Sequence, residues 1–260
     1  MSTTLTGHTA LVTGAGRGMG RAISLELARA GATVVVVART QSEIDAVAQE
    51  ITQAGGRAIA IAADVGSDEQ IEASVAAAHA AVGDIDILIN NAGYSELGLI
   101  EEQDPAIWWR QLEVGLRNPY TYSRLIIPMM RRKGWGRIVN VSSILGKIGN
   151  AYQTAYAAAK HGLIGFTRAL AVELAKSNIT VNAICPGYVR TSLSEKAMAQ
   201  RSVLHNIPRD QLEKHALSLI PQGKITEPEE VAPAVMFLVS EAAARITGES
   251  LNISGGRVMH

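Results

Sequence analysis

Tyr156 and Lys160 stand four apart in AYAAAK, within a stretch whose apolar spacing reads as a helix. Their side chains therefore leave one face of it. A phenol with a pKa of about 10 is a poor acid or base at neutral pH, and a neighbouring ammonium favours the phenolate and lowers that value. Thirteen residues before the tyrosine, Ser143 closes a short apolar run and can offer a hydroxyl to a carbonyl oxygen. The chemistry open to such a trio is proton transfer at an oxygen held by a second hydroxyl.

A second group of residues suits phosphate. After the first β-branched run comes Gly14-Ala15-Gly16-Arg17-Gly18-Met19-Gly20. It misses G-x-G-x-x-G because Met19 holds the sixth position, and the spacing is Gly14-x3-Gly18-x-Gly20. The physics is unchanged: glycines let the backbone turn tightly beneath a pyrophosphate, whose charge meets the N-terminus of the helix that follows. Where NAD sites carry an acidic residue at the end of the second strand, this chain has Ala38 followed by Arg39. With Arg17, two guanidiniums can face an adenosine ribose and fork onto a 2′-phosphate. The expected cofactor is NADP(H), preferred over NAD(H).

These residues need elements to position them. Runs at 9–13, 33–38, 58–63, 85–90, 137–141, 179–184 and 250–253 read as strands, several of them apolar throughout. Helical patterns lie between them near 19–30, 42–54, 68–82, 106–132, 153–176 and 228–240. Strands apolar on both faces and alternating with helices predict an α/β, doubly wound parallel sheet with helices on both faces. We expect one domain over 1–260, with a substrate lid at about 190–222, where no core pattern is visible. The 24 basic and 24 acidic residues cancel, which argues against nucleic-acid or membrane partners. A single cysteine, Cys185, provides no metal cluster and no internal disulfide. No signal peptide or apolar span is visible, so a cytoplasmic location is expected.

The stretch QLEVGLRNPY poses a separate question, because Gly115 and Pro119 both sit inside a helical pattern. Proline cannot donate to the carbonyl four residues back, so a kink that frees Gly115 O is expected.

The glycine spacing, Asp64-Val65, Asn90-Asn91-Ala92-Gly93, Ser143, Tyr156-x3-Lys160 and Pro186-Gly187 occur in an order that resembles the short-chain dehydrogenase/reductase (SDR) family along nearly the whole chain. The sequence is similar to 3-oxoacyl-[acyl-carrier-protein] reductases and polyketide ketoreductases. The resemblance implies a seven-stranded Rossmann fold and a homotetramer, paired through 106–132 and 153–176. It implies Tyr156 as general acid/base, Lys160 as ribose ligand and cation, and Ser143 as carbonyl orienter. It places Asp64 at the adenine, Val65, Asn91, Ala92 and Gly93 along the cofactor, and Pro186, Gly187, Val189 and Thr191 near the carboxamide. The family's fourth catalytic residue, an asparagine, falls at Gly115. In the family the carbonyl at that kink holds a water reaching the catalytic lysine, so a relay through Gly115 O is expected. Arginines by which fatty-acid reductases hold a carrier protein fall at Gly134 and Ser177, beside Lys133 and Lys176. Two readings follow: a carbonyl reductase acting on a 3-oxoacyl or other partly apolar ketone, suggested by Leu193, Met198, Val203, Leu204 and Ile207, or a cofactor-binding sensor impaired at Gly115.

Overall fold

The computed structural model describes residues 4–260. Seven strands lie in one sheet: β1 (Thr9–Thr13), β2 (Thr33–Ala38), β3 (Arg57–Ala62), β4 (Ile87–Asn90), β5 (Gly136–Val141), β6 (Ile179–Pro186) and β7 (Ser250–Ile253). All pairs are parallel, in the order β3-β2-β1-β4-β5-β6-β7. The chain winds outward one way through β3 and the other way through β7, so the order reverses between β1 and β4. A crevice at the carboxyl ends of those two strands is where such sheets bind ligands.

The period-two alternation of the strands assigns each side chain to a layer. Ala10, Val12, Val34, Val36, Ile87 and Ile89 pack one face against α1 (Gly18–Arg29), α2 (Gln41–Gln53) and α9 (Pro228–Val239). Leu11, Val35, Leu88, Ile138 and Val181 pack the other against α3 (Asp68–Val82), α5 (Asn118–Lys133) and α6 (Thr154–Leu174). Burying each of these valine, leucine and isoleucine side chains contributes about 1.5–3 kcal/mol, so both layers are firmly held.

The helix expected over 106–132 is three pieces. Asp104 caps α4 (Pro105–Leu112), its carboxylate accepting from Ala106 N at 2.8 Å with Pro105 in the first turn. A five-residue π turn, Glu113–Arg117, then leads into α5. The backbone N–H of Asn118 reaches back five residues to Glu113 O. In that register the residue facing the missing Pro119 N–H is Val114, not Gly115. Asn118 Nδ2 donates to Val114 O at 3.1 Å, so an amide fills the gap that Pro119 leaves in that register. Packing explains the distortion. A Cβ at Gly115 would lie 2.9 Å from Ala159 Cβ, and one at Gly162 would lie 2.9 Å from Leu116 Cδ2, so the π turn and α6 interlock through their glycines.

The region at 190–222 holds α7 (Ser192–His205) and α8 (Arg209–Ser218), each burying few side chains, chiefly Met198 and Leu212. The remaining elements agree with the sequence to within about two residues at their ends.

Candidate active site

Gly14 and Gly18 adopt φ of +64° and +53°, the left-handed conformation glycine tolerates. A Cβ at Gly20 would run into Gly14 O, so this turn closes only with hydrogen there. Arg17 precedes α1 without capping it through its side chain, which leaves the first N–H groups of the helix, at Gly18, Met19 and Gly20, open to an anion. The loop after β4 closes the crevice. Thr13 Oγ1 accepts from the backbone N–H groups of Asn91 and Ala92, each at 3.0 Å, and Asn91 Nδ2 donates to Thr13 O and Gly14 O. Asn91 Oδ1 is buried with no partner. Gly93 is exposed beyond it, with Leu193 Cδ2 3.7 Å from where a Cβ would stand.

Across the crevice, Gly187 donates to Ile253 O at 2.9 Å, fixing the chain as it leaves Pro186. Buried Val189 pairs with Thr226, and Thr191 caps α7 by accepting from Ser194 N. Thr191 Cγ2 lies 3.3 Å from the Cβ position of Gly18, so the start of α7 touches the glycine turn. α7 is held further on by Glu96, which pairs with Lys196 at 2.6 Å and accepts from Gln200.

At the ends of β2 and β3, Val65 is buried and Arg39 is exposed without an ion-pair partner among the described residues. Arg17 stands 3.5 Å from Glu43, a carboxylate that also overhangs Gly16. Both Asp64 oxygens accept from Arg110 Nη2 at 2.6 Å, and Asp64 also accepts from Gly66 N. Burial works to raise the Asp64 pKa, but the Gly66 N–H and the Arg110 guanidinium outweigh it and hold the carboxyl below its usual range. The sequence alone pointed to neither Glu43 nor Arg110. Each belongs to a helix far along the chain that only the fold brings to the crevice.

Ser143, Tyr156 and Lys160 converge beyond β5. Ser143 Oγ accepts from Leu145 N at 3.1 Å, which fixes its orientation. Tyr156 packs beside Ile144, Leu145 and Val258. Burial pushes its phenol up to about 12, opposed by the nearby Ser143 hydroxyl. Lys160 Nζ donates to Val141 O at 2.8 Å and lies 5.6 Å from the centre of the Tyr156 ring. Burial pulls its pKa down to about 8. The expected lowering of the tyrosine is opposed by desolvation, which moves its pKa the other way. Ser142 is structural, its hydroxyl donating to Lys160 O. Cys185 is fully buried at the end of β6.

Gly115 contributes no side chain here, and Asn118 does not replace one. Its amide turns back on its own helix, and its Oδ1 is buried without a partner. Of the apolar lid residues, Met198 is buried, whereas Val203, Leu204 and Ile207 are 82%, 42% and 36% exposed.

Residues 8–202 match the family model for short chain dehydrogenase. The chain is 39% identical over 256 residues to the 3-oxoacyl-[acyl-carrier-protein] reductase of Pseudomonas aeruginosa, covering 98% of this chain and 99% of that one. It is 39% identical over 258 residues to D-beta-hydroxybutyrate dehydrogenase of Cupriavidus necator, with 98% and 99% covered. A solved variant of actinorhodin polyketide ketoreductase with NADPH superposes with a TM-score of 0.93 at 36% identity, covering 99% of both chains. The glycine turn, the Asn-Asn-Ala-Gly loop and the Ser-Tyr-Lys set thus sit in a chain that belongs to the short-chain dehydrogenase family of oxidoreductases.

Proposed function

We propose that the chain is an NADP(H)-dependent reductase of ketones that, in reverse, oxidises the corresponding secondary alcohols. The convergence of Ser143, Tyr156 and Lys160 beside the glycine turn carries this reading. The crevice suits a dinucleotide on its own atoms: an uncapped helix N-terminus, glycines whose Cβ positions are occupied, and an orphaned Asn91 Oδ1. Gly14, Gly18, Met19, Gly20, Asn91, Ala92 and Gly93 would hold its inner half, Arg17, Arg39, Asp64 and Val65 its adenosine, and Pro186, Gly187, Val189 and Thr191 its carboxamide end. Bound there, the nicotinamide supplies or takes up the hydride.

The protein's part is the proton. With its pKa near 12, Tyr156 keeps its O–H through neutral pH and can donate to a carbonyl oxygen that Ser143 Oγ also holds. Lys160, charged below about pH 8, stabilises negative charge developing on the phenol oxygen. NADP(H) preference is supported by Ala38 and by an unpaired Arg39. Glu43 opposes it only weakly, since an exposed pair at 3.5 Å is worth about 1 kcal/mol or less. The substrate we favour is a 3-oxoacyl or related ketone, matching what the Pseudomonas relative is named for. Docking of a carrier protein is less favoured, because Lys133 is consumed by Asp86 and only Arg131 and Lys176 remain near that surface. A homotetramer in the cytoplasm completes the reading.

The alternative, a cofactor-binding sensor, is favoured by one observation: no asparagine side chain fits at Gly115 without moving Ala159. A ketone panel assayed with NADPH and NADH separates the two. Turnover of any member upholds the reductase; tight NADPH binding with no turnover upholds the sensor.

A further inference from the structure

Buried or half-buried guanidiniums in this chain have partners. Arg137, fully buried, pairs with Glu241 and donates to Gly136 O. Arg110 pairs with Asp64 and Glu113, and Arg117 with Asp68, Glu113 and Gly66 O. Two arginines depart from this. Arg201 on α7 and Arg257 in the C-terminal tail are both half-buried, and neither has an ion-pair partner among the described residues. Between them they make one side-chain hydrogen bond, from Arg201 Nη2 to Gln153 Oε1 at 3.1 Å. A guanidinium carries five donors, so most of this capacity is unspent. The pKa of each is pulled down, by burial in both cases and, for Arg201, also by the facing charge of Arg257. Two like charges held together out of water cost free energy unless something negative joins them.

Their place says what that is. Gln153, which Arg201 touches, is the residue before α6 and lies one helical turn, about 5 Å along the axis, from Tyr156. The same Gln153 is fixed by Asn150 Nδ2 at 2.7 Å and donates to Ser95 Oγ at 3.2 Å, so its orientation is set. Arg257 precedes Val258, which packs in the cluster that holds Tyr156. α7 and the tail thus each bring a guanidinium close to the turn and the cluster that hold Tyr156. We propose that Arg201 and Arg257 form an anion-recognising subsite, so that the substrate is a ketone bearing a carboxylate or phosphate a few bonds from its carbonyl. This rests on the reductase reading and narrows its substrate class. Forked N–H donors suit either oxyanion, and the lid position of Arg201 lets the anion hold α7 closed over the carbonyl.

The test compares each anionic ketone with its neutral counterpart. Acetoacetate, 4-oxopentanoate and 5-oxohexanoate are set against their methyl esters, and dihydroxyacetone phosphate against dihydroxyacetone. The expected result is a kcat/KM preference of about tenfold or more for at least one anion. That ratio should collapse to about threefold or less in Arg201→Gln and Arg257→Gln, return in part in Arg257→Lys, and stay in the exposed control Arg245→Gln. The carboxylate and phosphate arms identify which oxyanion is used. Neutral ketones preferred throughout, or ratios unmoved by either arginine, as a carboxylate from another subunit on the pair would give, overturn the proposal. If no ketone turns over, the reductase reading fails on its own. Calorimetric titration of the NADPH-loaded protein with 4-oxopentanoate and dihydroxyacetone phosphate then decides the subsite: binding lost in both Gln variants upholds it, and absence of binding overturns it.

Discussion

At the scale of single residues, burial sets the character of the candidate site. Tyr156 is a protonated acid at neutral pH, so Tyr156→Phe should lower turnover by about a hundredfold or more while NADPH binding stays near normal, since only the transferable proton is removed. Retained turnover would place the acid elsewhere. Lys160 allows a test independent of activity. Its folded pKa, about 8, lies below the ordinary lysine value of 10.5. Between those values the unfolded chain binds more protons than the folded one, so the lysine's contribution to stability rises with pH across that window. Ligand-free protein should therefore gain Tm relative to Lys160→Met as pH goes from 7.5 to 9.5, and a constant difference would show an unperturbed lysine. Arg39 and Arg17 carry a third expectation: NADPH should bind about tenfold tighter than NADH, or about 1.4 kcal/mol, and Arg39→Ala should remove most of the difference. Equal affinities in the native protein would mean that Glu43 has neutralised the site.

At the scale of elements, the π turn separates what the sequence makes legible from what it does not. Strand runs such as TVVVVA and TALVT identify themselves because both faces are buried, and the glycine turn because a strand must meet a helix there. The bend at Gly115 and Pro119 is also visible, since each residue weakens a helix. Its register is not, because that is decided by how Gly115 meets Ala159 and Leu116 meets Gly162, contacts between segments far apart in sequence. The lid helices escape notice for a related reason: α7 and α8 bury so little that no periodic apolar stripe marks them. The interlock has a measurable consequence. Gly115→Asn sets a Cβ against Ala159, an overpacking that costs about 1–3 kcal/mol and should lower Tm by several degrees. Adding Ala159→Gly should restore most of it. In that relieved double variant kcat should change by less than about tenfold, whereas a hundredfold gain would show that the native proton relay is broken and favour the sensor.

At the scale of the whole molecule, two sets of exposed apolar residues bear on assembly. Trp109, Tyr120 and Val172 are 59%, 52% and 80% exposed on α4, α5 and α6, while Phe237, Leu251 and Met259 are 44%, 41% and 82% exposed on α9, β7 and the tail. The second group borders an unpaired sheet edge, since β7 ends the strand order, and such an edge can pair with another chain. A tetramer with three perpendicular twofold axes needs at least two separate self-complementary patches on each subunit, whereas one patch makes only a dimer. The exposed apolar side chains named above fall on two sets of elements, one more than the helices at 106–132 and 153–176 supply. The expectation is a homotetramer at micromolar concentration by light scattering. Val172→Glu should halve the mass by opening the first patch, and Leu251→Glu should halve it by opening the second. The double variant, with both patches opened, should be a monomer. A native monomer would refute the assembly. A single substitution that took the tetramer directly to monomers would show that the two patches are not independent interfaces.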